Sequence, residues 1–428
     1  MSKALGTSLS RSLHYSCKLR HPSCCELVPR VWRRSGGVLS VQCRAFSKRI
    51  PGRMATWQIH RYGGNEELEL TKTHRTPMIR NPDELLIEVH AASVNPIDVR
   101  MRAGYGSSIL NFYRRLRCSL SSGSEFPLSL GRDFSGVVVA TGVGVRRFKP
   151  GDEVWGALGA QRQGAHAEFT VSSESEISLK PKRLSHIEAA SIPYAAMTTW
   201  AAVSTIGGLN EHNTAGKRVL IYAGSGGVGT FAIQLLKAWG AEVTTTCSTD
   251  AVPLLLSLGA DNVIDYNTQN VTEELTRLSG FDLVLDTLGG QVTKEAQQYL
   301  NTWRNASVVT VVHNFLRNGD TLGVPAGFVK SGTELACKNI QFFQSGQSLR
   351  WAVFMPNGEA LERIATLVDQ EQISPVIEKI YGFEELPEAF DKVSSGHARG
   401  KTVIDIKERA RHQETDTLND ENVAASVA

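Results

Sequence analysis

Gly216-Lys-Arg-Val-Leu-Ile-Tyr-Ala-Gly-Ser-Gly-Gly-Val-Gly229 is the stretch of sequence that decides the fold. Residues 218–222 read as a short buried strand, and residues 230–239 continue with helical periodicity. The turn between them carries the pattern G-x-G-x-x-G, formed by Gly224, Gly226 and Gly229. Glycines at these places permit a tight turn and let backbone amides and a helix N-terminus approach a pyrophosphate. A dinucleotide site is therefore predicted here.

Four further segments read as strands separated by helical stretches: 241–248, 259–266, 281–289 and 306–312. Strands that alternate with helices indicate a parallel sheet with helices on its faces. The run 306–312 is apolar and β-branched throughout, which suits a strand covered on both sides. The fold class predicted for this part, residues 196–340, is an α/β doubly wound parallel sheet of the Rossmann type.

The chain on either side of this part reads differently. Residues 51–195 contain many short strands closed by Gly and Pro, with a hairpin over 57–71 and alternating apolar positions over 83–90. Residues 341–406 add helices at 358–370 and 385–394 and a last strand at 402–406. The sequence thus predicts a β-rich domain whose chain leaves for the Rossmann domain and then returns.

The two ends of the 428-residue chain stand apart in composition. Residues 1–50 hold ten Lys or Arg but one acid, and are rich in serine, so residues 1–46 are predicted to be a mitochondrial transit peptide. A disordered basic tail that binds nucleic acid or membrane is the alternative. The rest of the chain is mildly acidic, which argues against a nucleic-acid partner. Residues 407–428 are polar without a periodic apolar face, and we expect disorder there.

An ordered set of motifs carries a family resemblance. The set comprises N-P-x-D at 95–98, G-x-D-x-x-G-x-V at 131–138, F-x-x-G-D-E-V-x-G at 148–156, G-x-x-A-E at 164–168 and the glycine turn. It resembles the quinone oxidoreductase branch of the medium-chain dehydrogenase/reductase superfamily, and its mitochondrial members above all. The resemblance covers about 57 to 406 and implies a GroES-like catalytic domain with the Rossmann domain inserted. It also implies a homodimer and a membrane-protein partner, while an insert at 109–125 reads as a surface loop.

Zinc is the first mechanistic question that the resemblance raises. Zinc-dependent relatives use a Cys and a Gly-His-Glu segment, whereas this chain has Asn95 near the Cys position and Gly131-Arg132-Asp133 in the segment. A guanidinium stays protonated and offers no lone pair to a metal. We therefore predict no metal site. Without a Lewis acid to acidify an alcohol, hydride addition to a quinone or an enone is favoured.

Substrate-side candidates come from the segment after the first long strand. Asn95 could donate to a carbonyl oxygen, and Tyr105 could donate a hydrogen bond or a proton to the reduced acceptor. Asp98 is a third candidate. The structural alternatives are that Asn-Pro simply marks a turn and that Asp98 caps or buttresses the loop.

The cofactor prediction depends on the residue about 20 positions after the glycines, where an acid selects NAD. Ser248 stands there, so NADPH is preferred; Asp250 is interpreted as the N-cap region of a helix through Leu258, and no Lys or Arg follows directly. The resemblance adds Tyr266 along the adenosine phosphate, residues 352–354 bordering the cofactor and residues 397–399 at its nicotinamide end. The alternatives are ordinary packing for the aromatic residues and a solvated turn for 397–399. The predicted cofactor contacts are Gly224, Ser225, Gly226, Gly227, Val228, Gly229, Ser248, Tyr266, Val311, Ala352, Phe354, His397, Ala398 and Arg399.

Three hypotheses of function follow. The first is an NADPH-dependent, zinc-independent reductase of a quinone or activated alkene in the mitochondrion, in the matrix. The second is a mitochondrial enoyl-thioester reductase, which would depend on a pocket tyrosine. The third is an NADPH-binding scaffold or regulatory protein with little turnover.

Overall fold

The computed structural model describes residues 44–45, 50–117 and 125–407. The strands of this part are β1 Arg44–Ala45, β2 Arg53–Gln58, β3 Glu69–Arg75, β4 Glu84–Val94, β5 Asp133–Thr141, β6 Glu153–Ala157, β7 Phe169–Ser173, β8 Ile177–Leu179, β9 Arg218–Ile221, β10 Glu242–Cys247, β11 Asn262–Asp265, β12 Leu283–Asp286, β13 Ser307–Thr310, β14 Ser348–Trp351, β15 Ile377–Gly382 and β16 Lys401–Asp405. The α-helices are α1 Pro96–Arg102, α2 Ser107–Arg117, α3 His186–Ala190, α4 Pro193–Trp200, α5 Gly227–Ala238, α6 Val252–Ser257, α7 Val271–Arg277, α8 Gln291–Glu295, α9 Phe315–Leu322, α10 Val324–Phe343, α11 Gly358–Asp369 and α12 Leu386–Ser394.

The nucleotide domain is a six-stranded sheet in the order β11-β10-β9-β12-β13-β14. Every neighbouring pair is parallel, which is the doubly wound order 3-2-1-4-5-6. This confirms the predicted fold class. The sixth strand, β14, was not predicted, because its four residues are too few to establish a period. It lies beyond 340, where the Rossmann domain was predicted to end, so the sheet runs on into the segment assigned to the other domain.

Both faces of this sheet are covered. On β9, Val219 and Ile221 pack into a core with α5 and α11, whereas Leu220 between them packs with Leu275 of α7 and Phe342 of α10. Alternate residues of a strand point to opposite faces, so a strand between two helical layers is apolar at every position. This is why the run at 218–222 reads as a buried strand.

The β-rich domain contains a two-stranded sheet, β2 with β3, and an eight-stranded sheet. The main path of the larger sheet is β15-β16-β4-β5-β6-β8, with β7 on β4 and β1 on β5. Strand β16 comes from the C-terminal part of the chain and pairs antiparallel with β4. The predicted return of the chain to the first domain is therefore confirmed, as are the hairpin and the helices α11 and α12.

The insert was predicted wrongly as a loop, because residues 107–117 form α2. Ile109 and Leu110 are buried, and Asp320 accepts hydrogen bonds from the Gly106 and Ser108 amides at the start of the helix. Its Arg- and Ser-rich composition concealed this buried face. Residues 118–124 of the insert, the predicted tail from 408, and the predicted leader apart from β1 lie outside the described residues. Within the described ranges, no helix has the length and apolar character to cross a membrane.

Candidate active site at the carboxyl edge of the parallel sheet

The glycine turn connects β9 to α5 with little space around three of its four glycines. A Cβ on Gly224 would collide with the Thr245 hydroxyl, and one on Gly229 would lie 2.6 Å from the Gly224 Cα. At Gly226, the N-cap of α5, the nearest atom would be the Ala223 carbonyl oxygen at 3.9 Å. At Gly227 a Cβ would lie 2.6 Å from Lys401 Cδ. The turn is therefore tight against the protein but open at Gly226, with Ser225 and Val228 close by in the sequence. This shape suits a diphosphate.

Arg399, one of the predicted cofactor contacts, lies beside Ser248, a position that its place in the sequence did not indicate. The Arg399 Nη2 donates to Ser248 Oγ at 2.8 Å and to Asp250 Oδ2 at 2.6 Å, and Ser248 Oγ donates to Asp250 Oδ1 at 2.7 Å. Hydrogen bonds from Ser248 and Arg399 lower the pKa of Asp250. Two predictions need correction. Asp250 does not cap α6, because Thr249–Ala251 forms a 3-10 turn before it. Arg399 lies at the Ser248 end of the site rather than at its nicotinamide end.

The segment before β16 holds Arg399 in this place. The Gly400 amide donates to the Ser225 carbonyl at 2.9 Å, and Gly400 forms a parallel bridge with Gly226. His397 adopts a left-handed conformation with φ of 52°, and the Arg399 guanidinium donates to the carbonyl oxygens of His397 and Ala398. Of the predicted residues 397–399, Arg399 therefore contacts the glycine turn, with its Nη1 3.5 Å from Ser225 Oγ, and it reaches Ser248, which is 151 residues away in the sequence.

Asn95 belongs to a buried polar cluster. Its Nδ2 donates to Asp133 Oδ2 at 2.8 Å, and its Oδ1 accepts from the Lys401 ammonium, which also lies 2.9 Å from Asp133 Oδ2. Ser93 Oγ donates to the same carboxylate. Because both ends of the Asn95 amide are bonded within the protein, its predicted role as a direct donor to substrate is not supported. The structure makes it the N-cap of α1 and part of the ion-pair cluster instead.

Asp98 and Arg132 form a second buried pair, with Nε 3.6 Å from Oδ1 and both side chains fully buried. Burial raises the pKa of Asp98 to about 6 despite the nearby guanidinium, and burial lowers the pKa of Arg132 to about 10. Asp98 also accepts hydrogen bonds from the Asn95 and Gly131 amides. It buttresses the loop, as its structural interpretation predicts. In the described part of the chain, no group of His, Cys, Asp or Glu could hold a metal ion.

Two tyrosines lie at this edge of the sheet. Tyr194, which the sequence did not single out, stacks on Phe354 with ring centroids 4.3 Å apart, and its amide donates to Asp133. Burial raises the pKa of Tyr194, and burial likewise raises that of Tyr105. Pro193 at the start of α4 was the available signal, because it fixes a helix start against the sheet.

A cavity of about 1230 Å³ opens beyond the ends of β13 and β14. Tyr105, Thr310, Val312 and Trp351 line it, so both halves of the chain contribute. Ligands of open α/β sheets bind beyond the carboxyl ends of the strands, on the side where this cavity opens. Val311, between two lining residues, packs with Phe354 against the α5 core. The remaining predicted contacts lie at the same edge: Tyr266 follows β11 and is half exposed, and Ala352 follows β14.

A doubly wound sheet with an open glycine turn, joined to a β-rich domain that contributes to the cavity, defines the class: a two-domain dehydrogenase or reductase fold. Comparison with known proteins identifies the family within this class. The alcohol dehydrogenase GroES-like domain matches residues 81–182, and the zinc-binding dehydrogenase family matches residues 258–404.

Known proteins are similar in sequence to this chain over most of its length. The mitochondrial NAD(P)H oxidoreductase RTN4IP1 of Homo sapiens is 48% identical, over 91% of this chain and 98% of its own. The 2-methylene-furan-3-one reductase of Solanum lycopersicum is 32% identical, over 83% of this chain and 80% of its own. The quinone oxidoreductase structure from Coxiella burnetii is 29% identical with a TM-score of 0.65, over 83% of this chain and 99% of its own. The chain belongs to the mitochondrial NAD(P)H oxidoreductase RTN4IP1 family of the medium-chain dehydrogenase/reductase superfamily. It is an oxidoreductase.

Proposed function

We propose that the protein is an NADPH-dependent, zinc-independent reductase that passes hydride to a quinone or an activated alkene in the mitochondrial matrix. The observation that carries the cofactor choice is Arg399 against Ser248, where a 2′-phosphate would bind. The relatives' names support a nicotinamide cofactor, a mitochondrial setting and acceptors of both kinds.

The residues at the carboxyl edge fit the cofactor. The open side of Gly226 and the N-terminus of α5 would hold the diphosphate, while Ser248 and Arg399 would hold the 2′-phosphate. Val311 and Phe354 would border the nicotinamide. When bound, this group supplies the hydride, and the protein contributes the positions of donor and acceptor in a water-poor cleft.

One proton must accompany each hydride to complete the reduction. Tyr105 lines the cavity and its phenol carries a proton that it can donate, so we assign it as the donor to the acceptor oxygen or carbon. Asn95 acts indirectly, because its amide and Lys401 hold Asp133, whose other oxygen fixes the Tyr194 amide.

Zinc independence rests on the chemistry of the residues at the metal-ligand positions of zinc-dependent relatives. Arg132 cannot ligate a metal, and its guanidinium is engaged by Asp98 and by the Gly159 carbonyl. The Lys401 ammonium stands against Asn95 and Asp133, where a second cation would be repelled. The proposal therefore differs from the description of the matching zinc-binding dehydrogenase family.

The test is NADPH oxidation by the purified mature protein with a panel of small quinones, enones and enoyl thioesters, with and without a chelator. We expect turnover with quinones or enones that the chelator does not change and that NADH supports less well. Turnover restricted to enoyl thioesters would favour the second hypothesis. Tight NADPH binding without turnover on the whole panel would favour the scaffold and contradict the proposal.

The transit peptide, the homodimer and the membrane-protein partner stay predictions. Import of the full chain into isolated mitochondria, followed by N-terminal sequencing of the mature form, would test the first. Sedimentation of the mature protein would test the second.

A further inference from the structure

The cavity beyond β13 and β14 carries an excess of positive charge. Its lining includes four cations, Arg100, Lys294, Arg317 and Lys338, and two acids, Asp320 and Glu334. Both acids are already engaged. Glu334 pairs with Lys338 at 2.7 Å, and Asp320 accepts the amides at the start of α2.

The other three cations have no carboxylate within ion-pair distance in the part of the chain that the structure describes. Arg100 extends from α1, Lys294 from α8 and Arg317 from α9, so three separate elements direct positive charge to one opening. Unpaired charges of one sign around a concave site raise the local concentration of ligands of the opposite sign.

An aromatic surface lies beside these charges. His313 stacks on Trp351 with centroids 5.1 Å apart and an interplanar angle of 10°, and both side chains line the cavity. The Arg100 guanidinium lies 5.9 Å from the centroid of the Tyr105 ring. The Lys338 ammonium also lies 5.9 Å from the centroid of the Trp351 ring. An aromatic acceptor in the cavity can therefore contact this aromatic surface while its anionic group meets the cations at the opening.

We propose that the cavity binds acceptors that carry an anionic group, and that a quinone or enone bearing a carboxylate is the preferred class. This inference rests on the proposed function. The reaction adds the hydride and one proton to the quinone or to the conjugated double bond, and the carboxylate is left unchanged. A phosphate on a thioester carrier offers the same charge, so the experiment includes both sources.

The experiment compares matched acceptors that differ only in a carboxylate replaced by its methyl ester, together with a coenzyme A enoyl thioester. We expect the carboxylate to have a KM about ten-fold lower at low ionic strength, and the difference to shrink as salt is added. Arg317→Gln and Lys294→Gln should each raise the KM of the carboxylate several-fold more than that of the ester. Lys330→Gln on α10, which is exposed and not a lining residue, is the matched control and should change neither.

Equal KM values for acid and ester at all salt concentrations would overturn the inference. So would an Arg317→Gln effect that is the same for both acceptors. A salt-sensitive preference found with the thioester but absent with the carboxylate would overturn the assignment to a carboxylate acceptor. If no acceptor turns over, the proposed function fails, and quenching of tryptophan fluorescence by the carboxylate then decides this inference separately. Salt-sensitive quenching that Arg317→Gln weakens would support the anion site, and its absence would overturn it.

Discussion

Arg399→Gln should change the affinity for NADPH while leaving that for NADH nearly constant. The guanidinium lies 2.8 Å from the Ser248 hydroxyl and its side chain is 24% exposed, so it is partly shielded from solvent. A hydrogen bond to a charged group contributes about 1.5–3 kcal/mol. Loss of the hydrogen bond between Arg399 and the 2′-phosphate should weaken NADPH binding by between about ten-fold and about a hundred-fold, because every 1.4 kcal/mol is about a factor of ten.

Titration of cofactor fluorescence gives both dissociation constants, and Arg363→Gln on the exposed side of α11 is a matched control that should change neither. Asp250→Asn is the converse variant. It removes the carboxylate that now pairs with Arg399, so it should strengthen NADPH binding a few-fold. An equal loss for NADPH and NADH in Arg399→Gln, or no loss for either, would refute the assignment of this residue to the 2′-phosphate.

Three other predictions concern catalysis and stability. Tyr105→Phe should lower kcat about ten- to a hundred-fold in steady-state assays, while Tyr194→Phe, which keeps the stacked ring, should change it less; an equal loss would contradict the choice of donor. Lys401→Met leaves Asp133 as a buried charge without its cation, so it should lower the free energy of unfolding by about 3–5 kcal/mol in urea titrations. Lys330→Met is the control and should not lower it. Equal free energies of unfolding for the two variants would contradict the ion-pair cluster. Burial lowers the pKa of His166 to about 3, so the unfolded chain takes up a proton that the folded chain does not as the pH falls below about 6.5. The free energy of unfolding that neutral His166 contributes is therefore fully present above that pH, and about 2 kcal/mol of it is lost by about pH 5. The His166→Gln variant should not show this loss.

Local sequence patterns were enough to predict the fold of the nucleotide domain. The glycine turn, the buried strand before it and the helix after it are set by residues within 25 positions of each other, and the alternation of strands and helices fixes a parallel sheet. Ser248 could be found by its spacing from Gly229, because the second strand of such a fold has a nearly constant length.

The sequence could not supply contacts made across the fold. Arg399 reaches Ser248 only because Gly400 pairs with the glycine turn, and nothing near Ser248 in sequence signals that cation. Asn95 was predicted to bind substrate because its bond with Lys401, which is 306 residues away in the sequence, cannot be inferred from the residues around Asn95. Helix α2 was missed for a different reason, since its buried residues are few among arginines and serines.

The proposed function requires hydride transfer from NADPH to an acceptor bound in the cavity. The direct measurement uses NADPH deuterated at the transferred position and an enone acceptor, with mass spectrometry of the product. We predict one deuterium at the β-carbon of each reduced enone and one NADP⁺ formed for each product. NADPH that binds to the protein but leaves no deuterium in any product would contradict the claim.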